Sequence, residues 1–159
     1  MKLKTILSAA AAVALLAACH DNPTAVEIGP IPPLPAGAVI VTTESGLQYA
    51  DITVGTGTQA QLGNRVAVQY TGWVASTGKG FDTSVGLNPY TLVLGDNGSI
   101  TGFQEGVIGM KVGGKRRLFV PAELGYGPLA VYDENGKLLI PANSDLVFDV
   151  ELVQVTPGT

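Results

Sequence analysis

The run Arg65-Val66-Ala67-Val68-Gln69-Tyr70-Thr71-Gly72-Trp73-Val74 decides how the rest of the chain is read. Its apolar residues alternate, so Val66, Val68 and Tyr70 fall on one face of a β-strand. That strand delivers a tyrosine to a buried surface. The next residues, Ser76-Thr77-Gly78-Lys79-Gly80, have the composition of a loop or turn and lead into Phe81-Asp82-Thr83-Ser84. Two aromatic rings and a carboxylate thus sit close together in the chain, flanked by glycines. Taken alone, Tyr70, Phe81 and Asp82 also fit a core tyrosine, a core phenylalanine and a turn-capping aspartate.

Outward from this stretch the same alternation recurs. Residues 46–54 form a strand that is irregular around Asp51 and ends at Gly55-Thr56-Gly57. Tyr90-Thr91-Leu92-Val93-Leu94 is another, closed by the turn Gly95-Asp96-Asn97-Gly98. Arg116-Arg117-Leu118-Phe119-Val120 is a strand stopped by Pro121. In residues 146–153, Leu146, Phe148, Val150 and Leu152 share one face while Asp149 and Glu151 share the other, as in a half-buried antiparallel strand. One helix fits residues 101–109, because Phe103, Val107 and Met110 make a single apolar stripe. Gly102 and Gly106 each cost it about 1 kcal/mol against alanine, so packing must hold it in place. Several such strands and one helix predict an α+β domain, an antiparallel sheet wrapped around one short helix.

The length of 159 residues allows one domain of ordinary size, and 21 glycines with 10 prolines suit a β-rich fold with tight turns. A net charge of −4 argues against nucleic acid as a partner. The basic run Lys115-Arg116-Arg117 reads as a solvated strand edge.

The amino terminus reads as an export signal. Lys2 and Lys4 precede an apolar run over residues 6–16, shorter than the roughly 20 residues of a bilayer-spanning helix. Leu16-Ala17-Ala18-Cys19 looks like a bacterial lipobox, which makes residues 1–18 a lipoprotein signal peptide and Cys19 the site of lipidation. Cys19 is the single cysteine, so no internal disulfide can form. More than one acyl chain on Cys19 would anchor the protein stably in a membrane. Residues 19–42 carry Pro23, Pro30, Pro32, Pro33 and Pro35 without helical or alternating period, and read as an extended, partly polyproline-II tether. The domain then spans residues 43–155, followed by a tail of four residues, 156–159.

The wording of the central stretch resembles the signature of FKBP-type peptidyl-prolyl cis-trans isomerases: tyrosine-threonine-glycine, a short glycine-containing loop, then phenylalanine-aspartate-serine/threonine-serine. Further stretches match that family in the same order: Asn88-Pro89-Tyr90, Ile100-Thr101-Gly102-Phe103, Glu105-Gly106-Val107, Met110-Lys111-Val112-Gly113-Gly114, Gly125-Tyr126-Gly127, Ile140-Pro141 and residues 146–152. The resemblance covers residues 43–155. It implies the FKBP-like fold and catalysed rotation of X-Pro bonds in proline-containing exported polypeptides, with macrolide immunosuppressants as further ligands and with neither metal nor cofactor. It also implies that Tyr70, Phe81, Tyr90, Ile100, Phe103, Ile140 and Phe148 bind substrate, with Phe103 as the floor under the proline ring and the Ile100 backbone N–H as a donor to a substrate carbonyl. Tyr126 and Asp82 would be the catalytic pair, Tyr126 as a hydroxyl donor and Asp82 as an orienting carboxylate that takes up no proton.

Three departures from the family pattern matter. The floor is tryptophan in most active relatives, so Phe103 predicts a lower floor and weaker macrolide binding. Between Ser84 and Asn88 the chain has Val85-Gly86-Leu87 and no arginine, which leaves Asp82 to be held by Tyr70 alone. The segment 128–138 is longer than in the smallest members and carries a turn at Asp133-Glu134-Asn135-Gly136-Lys137; a calcium site there lacks the required ligand pattern. The residues therefore read as a lipid-anchored, monomeric envelope isomerase facing the periplasm from the outer membrane. The alternative is a non-catalytic peptide-holding module on the same fold. Covalent catalysis is not supported, since residues 43–155 hold no cysteine or histidine and no serine in a nucleophile motif.

Overall fold

A computed structural model of the chain describes residues 28–158. The signal peptide, the lipidation site at Cys19 and the first part of the tether lie outside those residues. Among the described residues, nine strands, β1 (Ile40–Thr42), β2 (Gln48–Thr53), β3 (Arg65–Val74), β4 (Lys79–Thr83), β5 (Tyr90–Val93), β6 (Lys115–Val120), β7 (Val131–Tyr132), β8 (Leu138–Ile140) and β9 (Leu146–Thr156), accompany one α-helix, α1 (Thr101–Val107), and a single 3-10 turn at Ala122–Leu124. All pairings are antiparallel. The main sheet runs β1-β2-β6-β9-β3-β4, and β5 shares the outer edge of β3 with β4. This is the α+β architecture expected from the alternating runs.

The core lies between the sheet and α1. Val66 and Val68 of β3, Leu118 and Val120 of β6, and Leu146, Phe148, Val150 and Leu152 of β9 present one buried face to Phe103 and Val107 of the helix. The two helical glycines have a packing reason. A Cβ at Gly102 would sit 2.5 Å from Val120 Cγ1, and one at Gly106 2.4 Å from Leu118 Cδ2. Their cost in helix propensity is offset by a close approach of the helix to β6 that no other residue permits.

Three expectations are corrected. Lys79-Gly80 is not loop but the start of β4, paired with Val74 and Trp73. The Lys115-Arg116-Arg117 run is not a solvated edge, because β6 lies between β2 and β9. Arg116 and Arg117 are buried, and their strand partners supply the counter-charge. Arg116 Nε and Nη2 meet Asp51 at 2.7 and 3.1 Å, and Arg117 Nε and Nη2 meet Asp149 at 2.5 and 2.6 Å. Lys115 alone reaches solvent, beside Glu151. The turn expected at residues 133–137 is present and joins β7 to β8 in a short hairpin, closed by Asp133 Oδ1 accepting from the Asn135 and Lys137 N–H groups.

The tether is not free over its whole length. Residues 40–42 extend the sheet as β1, and the proline-bearing segment before them lies on the sheet's outer face. Trp73 Nε1 donates to the Gly29 carbonyl at 2.7 Å, and Arg117 Nη1 donates to the Pro32 carbonyl. Proline-rich backbone has few donors but a full set of carbonyls. Two buried donors on the sheet turn that composition into a docked strap.

Candidate functional site

The site is an open cavity of about 540 Å³ on the helix side of the sheet. Each wall comes from a different element. β3 contributes Tyr70, β4 Phe81 and Asp82, β5 Tyr90, α1 Phe103, β9 Phe148, and the turn after β6 Tyr126; Ile100 precedes the helix. The rings form a connected edge-to-face set. Phe103 and Phe148 lie 5.3 Å apart between centroids at 77°, Tyr70 and Phe103 5.6 Å apart at 76°, and Phe81 and Phe148 5.7 Å apart at 88°. Phe103 is nearly fully buried at the bottom, while Tyr126 at the rim is 37% exposed. Such pairs add about 0.5–1.5 kcal/mol each beyond burial, which stiffens the cup.

The aim of Phe81 follows from a β-bulge. Gly72 pairs with Asp82 and Trp73 with Gly80, so Phe81 is the extra residue on β4. Bulges re-aim side chains in this way. Room for the ring comes from Gly72, where a Cβ would stand 2.6 Å from Phe81 Cζ and 2.9 Å from Phe148 Cε1. Gly72 thus makes room for two of the cavity's rings, a reason for glycine that the alternation of β3 does not reveal.

One wall was also missed. Asn97, Gly98 and Ser99 line the cavity. A buried glutamine on the helix fastens them: Gln104 Oε1 accepts from Gly95 N at 2.7 Å, and its Nε2 donates to the Asp96 and Ser99 carbonyls at 2.8 and 3.0 Å. Tyr90 Oη adds a bond to the Gly98 carbonyl at 2.8 Å. The turn chemistry of residues 95–98 was legible, but not that it faces the cavity.

Ile140 is the predicted binding residue that the cavity does not use. At the end of β8 it is paired with Val131, and its side chain is buried in the hydrophobic core. The turn bearing Tyr126 is braced separately, by Ala122 N–H on Asp145 Oδ1 at 2.9 Å and by Gly127 N–H on the Ala122 carbonyl.

At the rim, the Tyr70 hydroxyl donates to Asp82 Oδ2. No arginine takes part, as the sequence led one to expect. Neither the Tyr126 hydroxyl nor the Ile100 N–H has a hydrogen-bond partner among the described residues, so two donors at the cavity are uncommitted. Burial, then the Asp82 carboxylate, raise the pKa of Tyr70 far above the ordinary tyrosine value; burial, Asp82 and Tyr90 raise that of Tyr126. Both hydroxyls therefore keep their protons at neutral and mildly alkaline pH. Above the ordinary value of 10.0 the unfolded chain loses tyrosine protons that the folded chain retains, so stability falls as pH rises. A lower denaturation midpoint at pH 11 than at pH 9 is expected, with a smaller drop in Tyr70→Phe.

The model of the FKBP-type peptidyl-prolyl cis-trans isomerase family matches residues 56–153. The chain belongs to this family. An FK506-binding protein of Neisseria meningitidis serogroup B is 41% identical over 111 residues, which is 69% of this chain and 96% of that one. FK506-binding protein 4 of Dictyostelium discoideum is 46% identical over 114 residues, 72% of this chain but 29% of that protein. Against longer FKBP relatives of this kind the chain spans only a part. Among solved structures, FkpA from Escherichia coli superimposes with a TM-score of 0.63 at 38% identity, over 76% of this chain and 53% of that one.

Proposed function

We propose that the protein is an FKBP-type isomerase that accelerates cis-trans rotation about X-Pro bonds of exported polypeptides. The observation that carries this reading is the convergence of four rings, Tyr70, Phe81, Phe103 and Phe148, on one cup whose rim holds two uncommitted donors and a carboxylate.

The barrier to be lowered is about 18–20 kcal/mol, set by amide resonance. Rotation breaks that resonance, and charge separation in the amide falls as the nitrogen pyramidalises. A cup that removes water from the amide disfavours the planar form more than the twisted one, and this difference is the catalytic term. A 10⁴-fold acceleration needs about 5.5 kcal/mol of it. Phe103 supports the proline ring, the Ile100 N–H and the Tyr126 hydroxyl donate to substrate carbonyls, and Asp82, oriented by Tyr70, faces the carbonyl carbon without exchanging a proton. The same cup is suited to a macrolide carrying a proline-like ring, consistent with the FK506-binding names of the relatives.

In a protease-free assay on a proline peptide the chain should accelerate exchange, and Asp82→Val with Tyr126→Phe should remove most of that acceleration. No acceleration by the parent, or an unchanged rate in the double variant, rejects the reading. We place the protein in the cell envelope as a monomer on a lipid anchor at Cys19, in the outer membrane facing the periplasm. Cys19→Ala should abolish acyl labelling and move the protein to the soluble fraction; continued labelling would reject the anchor.

A further inference from the structure

The strap on the outer face touches the two residues that flank the Phe81 bulge. Trp73, 4% exposed, donates its indole N–H to Gly29, and Gly80, its partner across the ladder, lies under Ile28. A Cβ at Gly80 would stand 2.1 Å from Ile28 Cγ2. The Gly80 φ is not in the left-handed region, so glycine serves there to make room for the strap. β4 is short and lies at the end of the sheet order, with β3 as its strand neighbour. The next two residues along it, Phe81 and Asp82, are those that face the cavity. Farther along, Arg117, 3% exposed and held by Asp149, pins Pro32.

We infer that Ile28–Pro32 is a positioning strap: by clamping Trp73 and Gly80 from outside, it fixes the bulge that aims Phe81 and Asp82 into the substrate cup. The residues act through β4 and touch no substrate. This rests on the isomerase reading above for its kinetic consequence, but not for its structural one. Ile28 is outside the hydrophobic core cluster, so a variant there is expected to keep the fold, which an unchanged dispersion of the core amide resonances checks.

The test uses the full chain in detergent micelles. Trp73 is the single tryptophan, so its fluorescence reports strap contact directly. Ile28→Asp should red-shift Trp73 emission and increase its quenching by acrylamide. It should shift the Phe81 and Asp82 amide resonances and lower kcat/KM on a proline peptide roughly tenfold, as misplaced substrate-positioning groups do. Ile28→Val should restore all of these. An unmoved Trp73 signal, or an exposed Trp73 with unchanged Phe81 and Asp82 resonances, overturns the inference. If the parent chain shows no isomerase activity, the functional reading fails, while the two resonances still decide whether the strap sets the bulge.

Discussion

Arg117→Ala is expected to cost about 1–3 kcal/mol of stability, the usual result of leaving a hydrogen-bonding group without its partner, here in a pair whose Asp149 side chain is 27% exposed. Arg117 is 3% exposed and makes a two-pronged pair with Asp149 on the adjacent strand, so alanine strands that carboxylate beside the sheet and also releases the Pro32 carbonyl. Chemical denaturation measures the loss. Arg117→Met combined with Asp149→Leu should recover most of it, because the pair contributes chiefly by neutralising itself. If Arg117→Ala costs less than about 1 kcal/mol, the level of an exposed surface pair, then the pair is solvated and β6 is misplaced.

The second large effect is on activity. Gly72→Ala inserts a methyl group 2.6 Å from the Phe81 ring and 2.9 Å from Phe148. Neither ring can stay, and the shift of about 1 Å that restores normal contact is of the size that lowers a reaction rate roughly 100-fold. Stability should fall by only about 1–3 kcal/mol, the range for overpacking. The signature is therefore a folded protein with a collapsed kcat/KM, read from thermal unfolding and peptide exchange side by side. An activity within a factor of about two of the parent would mean that these rings do not shape the substrate site.

The parts of the molecule that alternate locally were legible from the chain. β3, β5, β6 and β9 announce themselves because one face of each is buried, and α1 because Phe103 and Val107 keep helical spacing. What escaped depends on partners distant in sequence. Arg116 and Arg117 look like a basic edge until Asp51 and Asp149, 65 and 32 residues away, are brought beside them. The strap looks like a free tether because its holders, Trp73 and Arg117, are 44 and 85 residues from the carbonyls they bind. β4 begins with Lys79-Gly80, a turn-like pair whose glycine answers to Ile28 and not to a turn.

The candidate site was legible to a greater degree, since ring and carboxylate positions could be compared with a family pattern. Ile140 shows where that comparison stops. Its place in the pattern is matched, yet the pairing of β8 with β7 sends its side chain into the core. Conversely, Asn97, Gly98 and Ser99 reach the cavity through Gln104, whose polar side chain inside a helix carries no sign of its role in the local sequence.

We propose that an aromatic cup floored by Phe103 lowers the barrier to imide rotation. Exchange NMR on a proline peptide with a small molar fraction of the protein decides it, because rate and binding position come from one sample. Cis-trans exchange cross-peaks should appear together with protein shift changes centred on Ile100, Phe103, Tyr126 and Phe148. Absence of exchange, or exchange accompanied by shifts only on the outer face of the sheet, would contradict it.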